Sequence, residues 1–533
     1  MKRQTLPVSG LLLALIIFLS ACATAPTPAV SGLTFLHLND TYRVGAVEDG
    51  KAGGFSRVVT VARQLQAEGR DVRILHGGDF LYPSLESQLW DGLQIVDAFN
   101  FMDAVAPLYA VSGNHEFDRR GPAQLIAAVA ASEFDWLGDN YVFKTGNAEV
   151  DGALRKAFTF EAGGKTVGVF SLTLNPVDGG NERSYLENDG DYRAVAERTI
   201  NTLEQKGVDL IIGVTHLHMW QDVELAGLKA DYPKLAFIVG GHEHEPEYSP
   251  ADANNAAVMK GASNARVIWA IDVDFDAERN PIMRERQITL DESVALDSDY
   301  EVLANKWRAR LLEKFPFLEA RVGYAALPLD GREVAVRNEE SNWGTVIVDQ
   351  MRGAFGERSD LAFINGGTLR IDDFVDDDIL FEDIGRTFGF SSFLRKTTLT
   401  GAEFRQVMEA GYRGAGPSKG YFPQVSGFRI CVDRSRNDGD RIVSLQVPTD
   451  AGWEEIVADE DYSLVVPDYL YGGGDGYQIP KDRPATPPAS ELKYLVLDGI
   501  LRAQAEGKKI GEPVDPNNRR IHLLKEGKER CFQ

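Results

Sequence analysis

The stretch LTFLHLNDTY, residues 33–42, decides how the chain is read. Leu33 to Leu38 form a short apolar run of the kind that makes a buried strand, and the run stops just before Asp40. Ligands of open α/β sheets gather at the carboxyl ends of strands, where loops from several strands converge. A carboxylate at that position is a candidate metal ligand. The next side chain on its face is Tyr42, where a nitrogen or carboxylate would be the easier partner for a metal.

Working outward, the pattern repeats. Runs at 72–76, 107–112, 167–172, 209–214 and 235–240 are β-rich and bounded by glycine or a polar residue. Amphipathic patterns such as 55–69 and 191–207 lie between them, and this alternation predicts an α/β layered domain. The strand ends carry potential ligands in order: Asp40, then Asp79 in HGGDF, Asn114 and His115 in SGNHEFD, His216 in VTHLH, and His242 and His244 in GGHEHE. Carboxylate, amide and imidazole together suit zinc, manganese or iron. Flanking glycines let backbone approach a crowded ionic centre. Each signal is weak singly; their order points to a metal centre. His37 and His76 lie inside strands and read as structural or supporting residues, His218 as a neighbour, and His522 carries no signal.

A chain of 533 residues exceeds one compact core, so two large domains are expected. Its net charge of −24 argues against a binder of nucleic-acid polymers, which needs a basic face. A phosphate substrate would have to be met locally, by metal or a few arginines. Lys2 and Arg3, the apolar stretch Leu11–Leu19 and the ending LSAC at 19–22 make a secretory signal. Its cysteine makes the signal resemble a bacterial lipoprotein signal, with Cys22 acylated after cleavage. ATAPTPAVSG (23–32) then reads as a flexible tether. The expectation is an envelope protein, periplasmic or on the outer-membrane face, held to the membrane by lipid alone. In an oxidising compartment Cys431 and Cys531 either bridge or remain a buried thiol and a loose one.

Residues 298–316 predict a helix with an Asp/Ser cap, and 341–355 another; glycine-punctuated strands follow. The acidic run 371–383 reads as a solvated surface segment rather than a cation site.

The ligand order resembles that of calcineurin-like metallophosphoesterases, and the second half narrows the resemblance to the 5′-nucleotidase family. INGGTLR (364–370), YFPQVSGFR (421–429) and PDYLYGGGDGY (467–477) are similar to that family's later segments. The resemblance implies an α/β protein: an αββα four-layer metallophosphatase domain (33–295), a connecting helix and linker (296–338), and an α/β nucleotidase C-terminal domain for substrate recognition (339–533). It implies two divalent ions, with Asp79 bridging them. Asn114, His216 and His242 would complete one site, and Asp40 and His244 would serve the other. His115 would contact the phosphoryl group, with Asp118 orienting it. Phe422 and Tyr469 would sandwich a nucleobase, Asp475 would take ribose hydroxyl protons, and Asn365 and Arg370 would line the substrate site.

The sequence departs from the family in two places. Tyr42 stands where the family has a metal-binding histidine, and FGFSSF (388–393) blurs another family segment. Tyr42 is therefore a candidate phenolate ligand or a lining residue beside a weaker site. Tyr82, in GDFLY (78–82), is a second candidate for the same role. The expected activity is an exported, metal-dependent phosphohydrolase removing 5′-phosphate from nucleotides. The alternatives are a phosphodiesterase acting on cyclic nucleotides or nucleotide-sugars, and a non-catalytic nucleotide-binding lipoprotein. A thiosulfate-ester hydrolase is a remoter one. No protein partner is legible.

Overall fold

The computed structural model describes residues 32–119, 121–175, 184–276, 281–414, 419–514, 519–524 and 531–532. The signal, Cys22 and the tether up to residue 31 lie outside the described residues.

Two six-stranded sheets face each other in the first domain. One is built around the parallel strands Leu33–Leu38, Asp71–His76 and Leu108–Val111; the other around Lys165–Thr173, Leu210–His216 and Leu235–Gly240. Side chains alternate across a strand, and both faces of these strands are apolar because both are covered. Leu33 and Phe35 pack between the sheets against Val169, Ile212 and Val239. Leu36 and Leu38 face the opposite way, beneath the helices Phe55–Ala67 and Leu93–Val105. The far side of the second sheet is covered by Tyr192–Gln205 and Met219–Ala226. The result is the four-layer αββα arrangement expected from the sequence. His37, on the inter-sheet face, bonds the carbonyls of Leu75 and Gly240, one from each sheet. Burial lowers its pKa to about 4, so the ring is neutral and its single N–H serves one of the two carbonyls at a time.

The helix Ser298–Lys314 starts at Asp297, whose carboxylate accepts the amides of Asp299 and Tyr300. Tyr300 and Trp307 anchor it in the first domain's helical core, so this element is part of that domain's packing. The second domain holds two four-stranded sheets, ordered Leu394–Thr400, Asp461–Pro467, Leu361–Asn365, Pro423–Ser426 and Gly452–Glu455, Ile442–Thr449, Arg429–Asp433, Ile521–Leu524. Short strands at Arg321–Tyr324 and Leu329–Asp330 pair with Asp378–Leu380 and Phe374–Val375, so pairing within this domain begins ahead of residue 339. Cys431 and Cys531 form a disulfide, which ties the chain's end to the strand Arg429–Asp433.

The two domains meet through charged and backbone contacts. Arg386 pairs with Glu86 at 3.1 Å, and Gln88 donates to the carbonyls of Phe388 and Gly389. Among the described residues no helix is long and apolar enough to cross a membrane.

Candidate metal centre

The carboxyl ends of the central strands of both sheets converge on one cluster. Asp40, Asp79 and His216 offer ligand atoms lying within 4.8 Å of one another, and all three residues are buried. Asp40, Asp79 and His242 take left-handed backbone conformations, with φ of 53°, 60° and 87°. Such positions cost about 1–3 kcal/mol each in non-glycine residues and persist only where the surroundings enforce them. Here the carboxylates accept amides from neighbouring ligand loops: Asp79 from His115 at 2.8 Å, and Asp40 from His242 at 2.9 Å. The glycines do what the sequence suggested. A Cβ at Gly113 would lie 2.1 Å from Oδ1 of Asp79, and one at Gly241 would lie 2.8 Å from Oδ2 of Asp40.

Asp79 stands between two sets of groups. On one side, His216 Nε2 is 3.3 Å from its Oδ2 and 3.2 Å from the Asn114 amide oxygen. His216 Nδ1 donates to the Gly77 carbonyl at 2.7 Å, which points Nε2 at Asp79 and Asn114. His242 lies beside it, with ring centroids 5.3 Å apart. On the other side are Asp40, His244 and Tyr42. His244 Nε2 is 3.2 Å from Asp40 Oδ1, and the Tyr42 hydroxyl lies 3.4, 3.4 and 3.2 Å from Asp40 Oδ1, Asp79 Oδ2 and His244 Nε2. Four ligands bonded tetrahedrally at about 2.0–2.2 Å would stand about 3.3–3.6 Å apart, so these atoms fit the corners of one coordination shell. The carboxylate and imidazole donors around Asp79 suit a divalent ion.

Tyr42 therefore joins the cluster, whereas Tyr82 packs against Phe390 and under the Arg119 guanidinium. Burial, with Asp79, Asp40 and Glu333 adding to it, pushes the Tyr42 phenol well above its ordinary value, and Arg370 over the ring works the other way. Tyr42 is a neutral phenol whose single O–H is shared between the Asp40 and Asp79 carboxylates. Burial also acts to raise the carboxylates, but the histidines outweigh it: Asp40 is held well below its ordinary range chiefly by His244, and Asp79 is lowered by His216 and His115. Both are ionised acceptors.

His115 is placed differently. Its Nδ1 pairs with Asp118 at 2.7 Å, and its Nε2 points past Asp79 at 3.8 Å. Burial opposes its protonation, but Asp118 and Asp79 prevail and raise its pKa to about 9. The Asp118 carboxylate thus fixes the orientation of the ring. His76 is internal, bonded to Thr41 and to the Gly78 amide. His218 lies against His242, 4.5 Å between ring centroids, and under Trp220.

Three buried groups were not singled out in the sequence. Glu116 accepts the amides of Asp79, Phe80, Leu81 and Gly113, clamping two ligand loops together. Lys260, fully buried, pairs with Glu243 and Asp222 and donates to the Gly241 carbonyl, fixing the GGHEHE loop from behind. Glu333 reaches His244 from the second domain, 2.5 Å from Nδ1. Glu116 had a visible signal, its place in SGNHEFD; Lys260 and Glu333 lie in segments with no motif. The acidic run corrects an expectation: Asp372 is buried, not solvated, because the Asn264 amide, the Glu333 backbone N–H and the Arg266 guanidinium satisfy it.

Arg370 lies across the Tyr42 ring at 4.5 Å, its side chain 4 % exposed, with Nη1 3.5 Å from Glu333 and Nη2 lacking a hydrogen-bond partner. Asn365 donates to Asp475 at 2.7 Å, and the Tyr469 hydroxyl donates to the same carboxylate at 3.0 Å. Of the two aromatics expected to sandwich a base, Tyr469 is 42 % exposed and Phe422 only 1 %, its ring edge-on to Tyr412. Only Tyr469 presents an open face.

The layered fold and the carboxylate–histidine cluster at its strand ends define a calcineurin-like phosphoesterase, and residues 33–246 match the family model of that description. Residues 321–482 match the model of the 5′-nucleotidase C-terminal domain, and the chain belongs to the 5′-nucleotidase family of metallophosphoesterases. It is similar to the 5′-nucleotidase of Homo sapiens, 24% identical over 86% of each chain. Its fold is similar to that of a 5′-nucleotidase precursor from Thermus thermophilus, with a TM-score of 0.77, 23% identity and coverage of 93% and 99% of the two chains. A sulfate thiohydrolase from Thermus thermophilus shares the fold at a TM-score of 0.72 and 15% identity, covering 96% of this chain and 99% of its own. The protein is a phosphoric ester hydrolase.

Proposed function

We propose that the protein is an exported, lipid-anchored 5′-nucleotidase that releases phosphate from nucleotides at a centre of two divalent ions. The observation that carries this reading is the position of Asp79, shared between the Asn114–His216 side and the Asp40–Tyr42–His244 side. Asp79 would bridge the ions, with His242 completing the first side. Such ions supply an activated water and stabilise phosphoryl oxygens when bound.

The chain's own groups account for the rest. His115, held by Asp118, donates from Nε2 to charge developing on the phosphoryl group. Arg370 has a buried Nη2 without a hydrogen-bond partner, suited to an anionic oxygen. Asp475 and Asn365 suit ribose hydroxyls, and the open Tyr469 face suits a base, whose stacking contributes about 1–3 kcal/mol. The retained His115–Asp118 pair favours hydrolysis over mere binding, since a binder needs neither. Export and anchoring rest on the signal and Cys22 alone.

The test is a panel of nucleoside mono-, di- and triphosphates, cyclic nucleotides and nucleotide-sugars, incubated with each divalent metal while released phosphate is measured. Turnover led by 5′-monophosphates is expected. Turnover of cyclic nucleotides or sugars alone would make it a phosphodiesterase, and none at all would leave a binding protein.

A further inference from the structure

All the ligands proposed for the two ions lie in the first domain, yet the outer bonds of one side come from the second. Glu333 opens the short helix Glu333–Val336 and is buried. Its Oε2 lies 2.5 Å from His244 Nδ1 and accepts the Ser263 hydroxyl at 3.0 Å. Its Oε1 is held by Arg337 at 2.7 Å. A carboxylate is an acceptor only, so the imidazole proton belongs on Nδ1 and the lone pair on Nε2, which faces Asp40 and Tyr42.

The contact is one link in a closed circuit. The Glu333 backbone N–H donates to Asp372 Oδ1 at 3.1 Å, and Asp372 Oδ2 accepts from Asn264 Nδ2 at 3.0 Å. Asn264 Oδ1 in turn accepts the Tyr42 backbone N–H at 3.1 Å. The circuit thus ends on Tyr42 and on His244, the two residues that with Asp40 and Asp79 make up this side of the cluster. Both of its acidic members, Glu333 and Asp372, belong to the second domain.

We infer that Glu333 is a positioning residue for this metal site: by holding His244 Nδ1 it aims Nε2 at the ion, so the second domain sets the affinity of a site whose ligands all lie in the first. The inference rests on the two-ion reading above. No ligand at the Asn114–His216–His242 side touches Glu333 in any bond described, so the effect is confined to one ion.

The experiment titrates metal-free, full-length protein with Mn²⁺ and follows binding by calorimetry. Glu333→Gln keeps the size of the side chain but removes the charge. Glu333→Asp keeps a charge beside Arg337 but draws the carboxylate back from His244. Both variants are expected to weaken one binding step by about 10- to 100-fold, the usual cost of losing an outer partner of a ligating histidine, and to leave the other step unchanged. Glu333→Gln combined with His244→Ala should weaken the step no further than His244→Ala alone. Wild-type affinity at both steps in both variants would overturn the inference, and so would equal weakening of both steps. If the wild-type protein binds no Mn²⁺ at all, the two-ion reading fails instead, and the two failures are distinguishable.

Discussion

Tyr42 stands where the family resemblance implies a metal-binding histidine. A phenol whose O–H is shared by two carboxylates gives up that contact and its proton before it can ligate, whereas a neutral imidazole already carries a lone pair. The side held by Tyr42 is therefore the weaker one, and dialysis should remove its ion first. Tyr42→His should bring retention on that side up to match the other, as read by metal analysis after dialysis; an unchanged ratio would place Tyr42 outside the shell. His115 behaves as a reacting group and not a ligand. His115→Ala should lower turnover by about 10²-fold or more with bound metal unchanged. Parallel loss of metal and activity would reassign it. The candidate ligands were legible in the sequence because they follow apolar strands, and Asp79, Asn114 and His242 adjoin a glycine. Glu333 and Lys260 were not, since a buried charge is recognised by its partners, and theirs are distant in the chain.

Among the elements, strands were easier to read than the pocket they support. The short, nearly continuous apolar runs located the central strands of both sheets, because those strands are buried on two faces. Which aromatic stays open depends on packing between elements, and no spacing rule carries that. Phe422 sits in the apolar cluster with Tyr412, Val425 and Tyr477, whereas Tyr469 projects from the helix Asp468–Tyr471. Tyr469→Ala should raise KM for nucleotides, spare small aryl phosphates and leave Tm close to wild type. Phe422→Ala should instead cost about 3–5 kcal/mol of stability, the usual toll for emptying a buried phenylalanine site. Thermal unfolding and nucleotide kinetics on the two variants separate these outcomes, and the reverse pattern would show that Phe422 opens to the base.

For the whole molecule, function depends on how the second domain sits against the first. Sequence length and two motif sets located both domains, but the charged seam between them involves residues outside any motif. Glu382 is part of that seam, pairing with Arg308 and Arg386 at 2.6 Å. Burial acts to raise its pKa, yet the two arginines lower it to about 2 from an ordinary 4.5. A depressed carboxylate contributes stability that is present above its unfolded pKa and lost as pH falls through the folded one. The contribution of Glu382 should thus fade between about pH 4.5 and pH 2. Glu382→Gln should show a shallower fall of Tm across that window than the wild type; identical slopes would remove Glu382 from the account.

The central claim is that phosphate leaves a nucleotide at the cluster around Asp79, and only with metal bound there. It is tested most directly by phosphate release from a mixture of nucleoside 5′-monophosphates, measured on protein stripped with a chelator, on the same protein after Mn²⁺ is returned, and on Asp79→Asn under both conditions. The account predicts no release from stripped protein, recovery on adding Mn²⁺, and no recovery for Asp79→Asn. Release that survives both stripping and Asp79→Asn would contradict it.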